Sequence, residues 1–171
     1  MLLLAKLAKQ PMHGYELRRQ VEETSGRALS NNSLYPALRR FADAGAVART
    51  AEPQQGRPPR HIYTITDVGR ELLHDMLADL PDELAGDSSE FLARLGNFGW
   101  LAVAERLQVL DARERAVAHQ LDRLGGLAAA QEEPWPQLVL DEVCRRMRVE
   151  QEWLDSVRKL VQEPQAQEES R

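Results

Sequence analysis

The sequence has one cysteine, Cys144, and no apolar run near the ~20 residues needed to span a bilayer. It also has none of the spaced residue sets that mark common active sites. A single thiol excludes an internal disulfide framework and a cysteine-cluster zinc site. Cys144 itself reads as a small, largely buried hydrophobe. The longest apolar run, Met1–Ala5, is too short for the core of a secretion signal, and no cleavage site follows it. The expectation is a soluble, cytoplasmic protein. The four histidines (His13, His61, His74, His119) are scattered, without His-Glu-x-x-His spacing, and there is no phosphate-binding glycine loop. No serine, cysteine or carboxylate pair has a recognisable activating partner. Neither an enzyme nor a bound metal or other cofactor is expected, and no internal repeat is found.

What is present suits one ordinary domain or two small ones: 171 residues, 43% hydrophobic and 29% charged. The net charge of −5 argues against a nucleic-acid partner until it is divided. Residues 1–80 carry 11 Lys/Arg against 9 Asp/Glu, a net +2, whereas residues 81–171 carry 11 against 18, a net −7. Residues 18–60 alone have 8 basic and 4 acidic side chains. Attraction for phosphates depends on the local field at the docking face, so this distribution permits DNA binding without requiring it.

Leu2, Leu3, Leu4 and Leu7 predict a short amphipathic helix ending at Gln10-Pro11, and Tyr15–Thr24 a second, with Leu17 and Val21 inward and Gly26 as its stop. Ser30 has the chemistry of an N-cap for a third helix running to about Ala44, where Gly45 closes it. Leu34, Leu38 and Phe41 make its buried stripe. Asn32, Pro36, Arg39 and Asp43 then point outward, flanked by Tyr35 and Arg40. Such a face suits base edges and phosphates, but from this helix alone a solvated basic face is the plainer reading. Pro36 either kinks the helix or lies in a first turn that begins near Asn32–Ser33.

Val47–Glu52 and His61–Thr66 read as two strands, the second rich in β-branched residues. The stretch Pro53–Arg60 between them, with three prolines, a glycine and two arginines, is expected to be an irregular loop. Thr66-Asp67 caps a helix through Leu80. Helix-helix-helix-strand-strand-helix is the order of a winged helix, so residues 1–80 are expected to form a winged helix-turn-helix. Pro81–Ser89 (residues 81–89) reads as a linker, residues 90–162 as an all-helical domain, and residues 163–171 as a disordered tail. Within the helical domain, helices are predicted at about 89–110, with a break near Gly96–Gly99 left open, 112–131 and 137–162. Asp111 and Glu114 resemble a capping box, Gly125-Gly126 weakens the middle helix, and Pro134-Trp135-Pro136 reads as a turn.

The last helix carries a seam of Val143, Met147, Glu150, Leu154, Val157 and Val161, with heptad-like spacing, and beside it a second strip of Val149, Trp153 and Leu160. Two apolar strips on one helix need neighbours on both sides. A second copy of the chain is an economical source for one of them, and the seam residues from Val143 to Val161 are assigned to dimerisation, with packing within the chain as the alternative. Glu150 on the seam would need a partner such as an arginine.

Several words in order resemble the PadR family of transcriptional regulators: Pro11-Met12-His13-Gly14-Tyr15-Glu16-Leu17, Ser33-Leu34-Tyr35-Pro36-Ala37-Leu38-Arg39-Arg40 and Gly45-Ala46-Val47. Gly56-Arg57-Pro58-Pro59-Arg60-His61-Ile62-Tyr63-Thr64-Ile65-Thr66 and Gly69-Arg70-Glu71-Leu72 continue the match. Trp100-Leu101 and Glu150-Gln151-Glu152-Trp153-Leu154 extend it more loosely. Asn31-Asn32 stands where the family often has Pro-Gly. The resemblance implies a mainly α protein, a bacterial homodimer that binds double-stranded, pseudo-palindromic operator DNA and usually represses. It also reads Pro36 as part of a patterned helix start. On that basis Asn32, Ser33, Tyr35 and Arg39 are assigned to the major groove, and Arg40, Arg57 and Arg60 to phosphates. Tyr63 is expected to buttress the wing, and His13 and Tyr15 either to position the second helix or to reach the backbone. Phe98, Trp100 and Trp153 are candidates for a pocket taking a small aromatic or apolar effector, with simple core anchors as the alternative. The competing class is a winged helix used only for protein contacts, which the acidic total suits and the arginines oppose.

Overall fold

The computed structural model describes residues 1–26, 28–54 and 57–163, with the side chains of residues 54 and 57–59 outside that description. The protein is mainly α-helical and forms two compact units, Met1–Leu77 and the residues from Ala78 onward. Among the described residues no helix is long and apolar enough to cross a membrane.

The first unit opens with α1 (Leu2–Leu7), whose Leu4, Ala5 and Leu7 are buried, and continues through α2 (Gly14–Ser25) and α3 (Asn31–Asp43). Helix α2 stops where Gly26 takes φ 65°, a left-handed conformation that costs glycine little. Helix α3 starts where the Ser33 N–H donates to Ser30 Oγ at 3.2 Å, as the N-cap reading requires. Leu34 and Leu38 are fully buried while Phe41 is only half-buried, so the inward stripe is narrower than expected. Pro36 is the sixth residue of α3, beyond the first turn, and it cannot donate to the Asn32 carbonyl. The reading of Pro36 as a helix start is thereby corrected.

Strands β2 (Val47–Gln54) and β3 (Arg57–Ile65) form the hairpin, and a two-residue strand, β1 (Met12–His13), adds to its edge in the order β1-β3-β2. No alternation in the sequence announces β1, because two residues between Pro11 and Gly14 are too few to show a period. The irregular loop expected over residues 53–60 is corrected where it is described: β2 reaches Gln54 and β3 starts at Arg57, with residues 55 and 56 outside the described residues. The prolines are accommodated because β1 covers β3 only at Ile62 and Tyr63, and a register shift separates Glu52 from Gln54. Helix α4 (Asp67–Ala78) is capped by Thr66, whose Oγ1 accepts from the Gly69 N–H at 3.1 Å and donates to the Gly45 carbonyl at 2.7 Å.

In the second unit, the segment expected to be a linker holds α5 (Asp82–Ala85), with Ala85 buried, and the start of α6 (Ser88–Leu95). A 3-10 turn (Phe98–Trp100) leads to α7 (Val103–Ala129), and residues 130–133 fold α8 (Pro134–Gln162) back along it. Helix α7 is continuous where two helices were expected. Asp111 and Glu114 are not a cap: Arg158 of α8 bonds Asp111 through Nη2 and Glu114 through Nε (3.0 Å) and Nη2 (2.7 Å). Carboxylates that suit a helix start suit an interhelical arginine equally well, which is why the local pattern misled. Gly125-Gly126 lies within α7, and Pro134-Trp135-Pro136 forms the first turn of α8, where missing N–H groups cost little. The expected tail falls outside the described residues beyond Glu163.

The predicted seam of α8 is engaged within the chain. Leu154 has no exposed surface, and Val143, Met147, Val157 and Val161 are half-buried. Glu150 accepts from Arg113 Nε and Nη2 at 2.8 and 2.6 Å. Arg113 is almost fully buried and also donates to the Ala85 carbonyl and Ser88 Oγ, tying α5, α6, α7 and α8 together. The strip beside the seam stays open: Val149 and Leu160 are exposed at 52% and 69%.

Candidate nucleic-acid interface

The sequence of α3 divides its surface cleanly. Leu34 and Leu38 hold it to the first unit's core, which leaves Asn32, Tyr35, Pro36, Arg39, Arg40 and Asp43 exposed. The structure therefore brings together on one helix five of the assigned residues, Asn32, Ser33, Tyr35, Arg39 and Arg40. Ser33 is partly committed to the cap, since its hydroxyl lies 3.0 Å from Ser30 Oγ. Neither Arg39 nor Arg40 forms an ion pair among the described residues, so their charge is available to a ligand.

The hairpin rises beside α3. Pairing of Arg49 with Tyr63 and of Ala51 with His61 puts these side chains on one face, the face that buries Val47 and Ile65 at its base. Higher up, that face and α3 enclose an open groove of about 800 Å³, lined by Arg39, Arg40 and Asp43 from α3 and by Arg49, His61 and Tyr63 from the hairpin. Tyr63 is buried at the foot of this wall, as expected of a buttress. Burial pushes its phenol above the ordinary value, and the Arg49 guanidinium beside it pulls in the other direction. Arg49 and His61 were not singled out in the sequence. The signal available was parity, because residues 47, 49, 63 and 65 share one face once the strand register is known.

The other face of the hairpin meets the start of α2. Arg60 is exposed on β3, with its guanidinium 6.0 Å from the Tyr15 ring centroid. The Tyr15 ring is stacked on His13 at 5.8 Å. His13 Nδ1 lies 3.2 Å from the His61 carbonyl oxygen and its Nε2 3.6 Å from Glu52, so His13 is a packing residue. Tyr15 is 59% exposed and faces solvent beside Arg60. Gly14 lets α2 and α3 approach: a Cβ there would lie 3.0 Å from Tyr35 Cε1. Arg57 belongs to β3, but its side chain lies outside the description.

The residues assigned to an effector pocket lie in the second unit, and among the described residues no ring contact joins the three. Phe98 is buried, Trp100 is half-buried, and Trp153 contacts Phe91 edge-on at 6.1 Å. Among the described residues no cluster of His, Cys, Asp and Glu has metal-holding geometry.

Comparison with known proteins agrees with this geometry. Residues 3–75 match the family model described as the Transcriptional regulator PadR-like family. An uncharacterized 37.1 kDa protein of transposon TN4556 from Streptomyces fradiae is 40% identical over 73 residues, 43% of this chain and 20% of that protein. The negative transcriptional regulator PadR of Bacillus subtilis is 30% identical over 77 residues, 44% of this chain and 42% of that protein. The chain thus spans less than half the length of these curated relatives. The crystal structure of Bacillus subtilis PadR in complex with operator DNA aligns at 21% identity and a TM-score of 0.43, covering 93% of this chain and 95% of that one. Residues 3–75, which take in α3 and both strands of the hairpin, are what this chain shares with the PadR-like family of transcriptional regulators.

Proposed function

We propose that the chain is a sequence-specific DNA-binding protein acting as a homodimeric transcriptional repressor. The observation that carries this reading is the outward face of α3, an N-capped helix whose exposed Asn32, Tyr35, Arg39 and Arg40 stand next to an arginine-bearing hairpin. A helix of this kind fits the major groove. Arg39 suits bidentate contact with a guanine and Asn32 with an adenine, while Ser33 and Tyr35 sit at the helix entrance. Arg40, Arg57 and Arg60 supply phosphate contacts, which fix register without carrying sequence information.

Dimerisation is supported by α8. With Leu154 and Glu150 engaged inside the chain, the exposed strip of Val149, Trp153 and Leu160 offers apolar surface to a second copy. Two tethered readers then engage half-sites of a pseudo-palindromic operator about one DNA turn apart. Repression is supported by the Bacillus subtilis relative, which is described as a negative regulator. Release by a small aromatic or apolar effector at Phe98, Trp100 and Trp153 completes the proposal and rests on the aromatic content of the second unit. A change in tryptophan fluorescence on titration with flat aromatic acids tests it, and no change across a panel would remove it.

Footprinting on the DNA upstream of the protein's own gene tests the main reading. Two protected half-sites about one helical turn apart are expected. Arg39→Ala should weaken binding by roughly 1–3 kcal/mol and relax preference at one base position in each half-site. A footprint and affinity unaltered by Arg39→Ala would place α3 outside the groove.

A further inference from the structure

We infer that the groove between α3 and the hairpin is a seat for the DNA sugar–phosphate backbone, and that Arg49 is a phosphate contact positioned by His61. This rests on the DNA-binding reading above and extends it to residues which that reading does not use. Three observations converge on the groove. It is open, about 800 Å³, and large enough to admit a segment of backbone beside a helix lying in the adjacent major groove. Its walls carry Arg39, Arg40 and Arg49 against one carboxylate, Asp43. None of the three guanidinium groups forms an ion pair among the described residues, so the excess positive charge is not neutralised by a described side chain.

The position of Arg49 sets its role. It projects from β2 on the hairpin wall that lines the groove with α3, off that helix itself, so it is assigned to the backbone of a duplex held by α3 and not to the base edges. A guanidinium can only donate, so its Nη2–H bonds to the imidazole Nε2 of His61 as acceptor. That contact favours one orientation of a long side chain against the wall. It uses a single N–H, leaving the others of the planar fork free for phosphate oxygens. His61 is in turn fixed through its backbone, since its carbonyl oxygen lies 3.2 Å from His13 Nδ1. Arg60 points from the opposite face of the hairpin, toward Tyr15, and cannot substitute for Arg49 in this groove.

The test uses full-length protein and two labelled duplexes of equal length, one from the region upstream of its own gene and one with that sequence scrambled. Arg49→Gln should weaken binding to both by a similar factor, several-fold at moderate salt, and lower the slope of log K against log salt by about one. Arg49→Lys, which keeps the charge, should keep the slope. His61→Ala should lose part of the affinity, and His61→Gln should restore it, because the amide oxygen can accept from Arg49. Ethylation of single phosphates should block wild-type binding at one position per half-site to which Arg49→Gln is indifferent. This readout requires that the variant still bind, so it separates a lost contact from a lost fold. Wild-type affinity and slope in Arg49→Gln, with Arg39→Ala still impaired, would overturn the assignment while leaving the DNA reading intact. Binding of neither duplex by the wild-type protein would overturn both. Inorganic phosphate that occupies the groove without ethylation interference at the DNA would place a free anion there and not the backbone.

Discussion

At the scale of single residues, two positions show how much depends on neighbours that the chain order does not name. Gly69 is the clearer. A Cβ there would lie 2.0 Å from the Ala46 carbonyl oxygen and 2.7 Å from Ile65 Cγ1, so α4 reaches the base of the hairpin only because the side chain is missing. Gly69→Ala should therefore cost at least about 2 kcal/mol, read as a lower denaturant midpoint. Stability equal to wild type would mean that α4 can move aside freely. The second is Arg113, buried and held by Glu150, Ser88 and the Ala85 carbonyl. Glu150→Ala strands a buried guanidinium and should cost about 3 kcal/mol, the lower end for such pairs because Glu150 keeps some contact with water. A calorimetric loss well under 1 kcal/mol would show that Arg113 finds water instead. The need of Glu150 for an arginine was legible from its place on an apolar seam. Which arginine, and on which helix, was not, because residues 113 and 150 meet only when α8 folds back on α7.

At the scale of elements, local chemistry was a reliable guide wherever the controlling contact is local. Ser30 caps α3, Gly26 ends α2 and Thr66 starts α4, each through bonds within a few residues. The same reasoning failed where the contact is distant. Strand β1 exists only because Tyr63 and Ile62 lie alongside it, and the prolines of the hairpin tolerate strand geometry because of what is absent from one edge of β3. Helix α8 shows both outcomes: its two apolar strips were visible, but the strip that faces α7 was not. Leu154 is fully buried, so its replacement by a charge tests folding and not assembly. Leu160→Glu, at a position 69% exposed, is the cleaner probe. It should give monomers in sedimentation with helix content intact, and lose most operator affinity through loss of the second half-site. An intact dimer would move the interface off this strip. The strip also carries a charged island, where Arg145 and Arg146 hold the Glu142 carboxyl down to about 2. Because that folded value lies below the unfolded one, the pairing is present at neutral pH and is lost only as pH falls toward 2.

At the scale of the whole molecule, net charge misdirects and its distribution does not. A chain at −5 presents α3 and the hairpin with arginines that no described carboxylate pairs, and its acidic excess lies beyond residue 80. The winged-helix order and the outward face of α3 were legible because helix period and capping carry them. The groove behind α3 was not, because it depends on hairpin register and on the helix lying alongside. DNA reading by this basic surface is the property from which the other proposals follow. It is tested most directly by equilibrium binding of the full-length protein to its own upstream duplex and to a scrambled duplex, across a range of salt. Tighter binding to the first is expected at every salt, with log K falling linearly against log salt at a slope of several phosphates for both. Equal affinity for the two duplexes, or binding to neither at low salt, would contradict it.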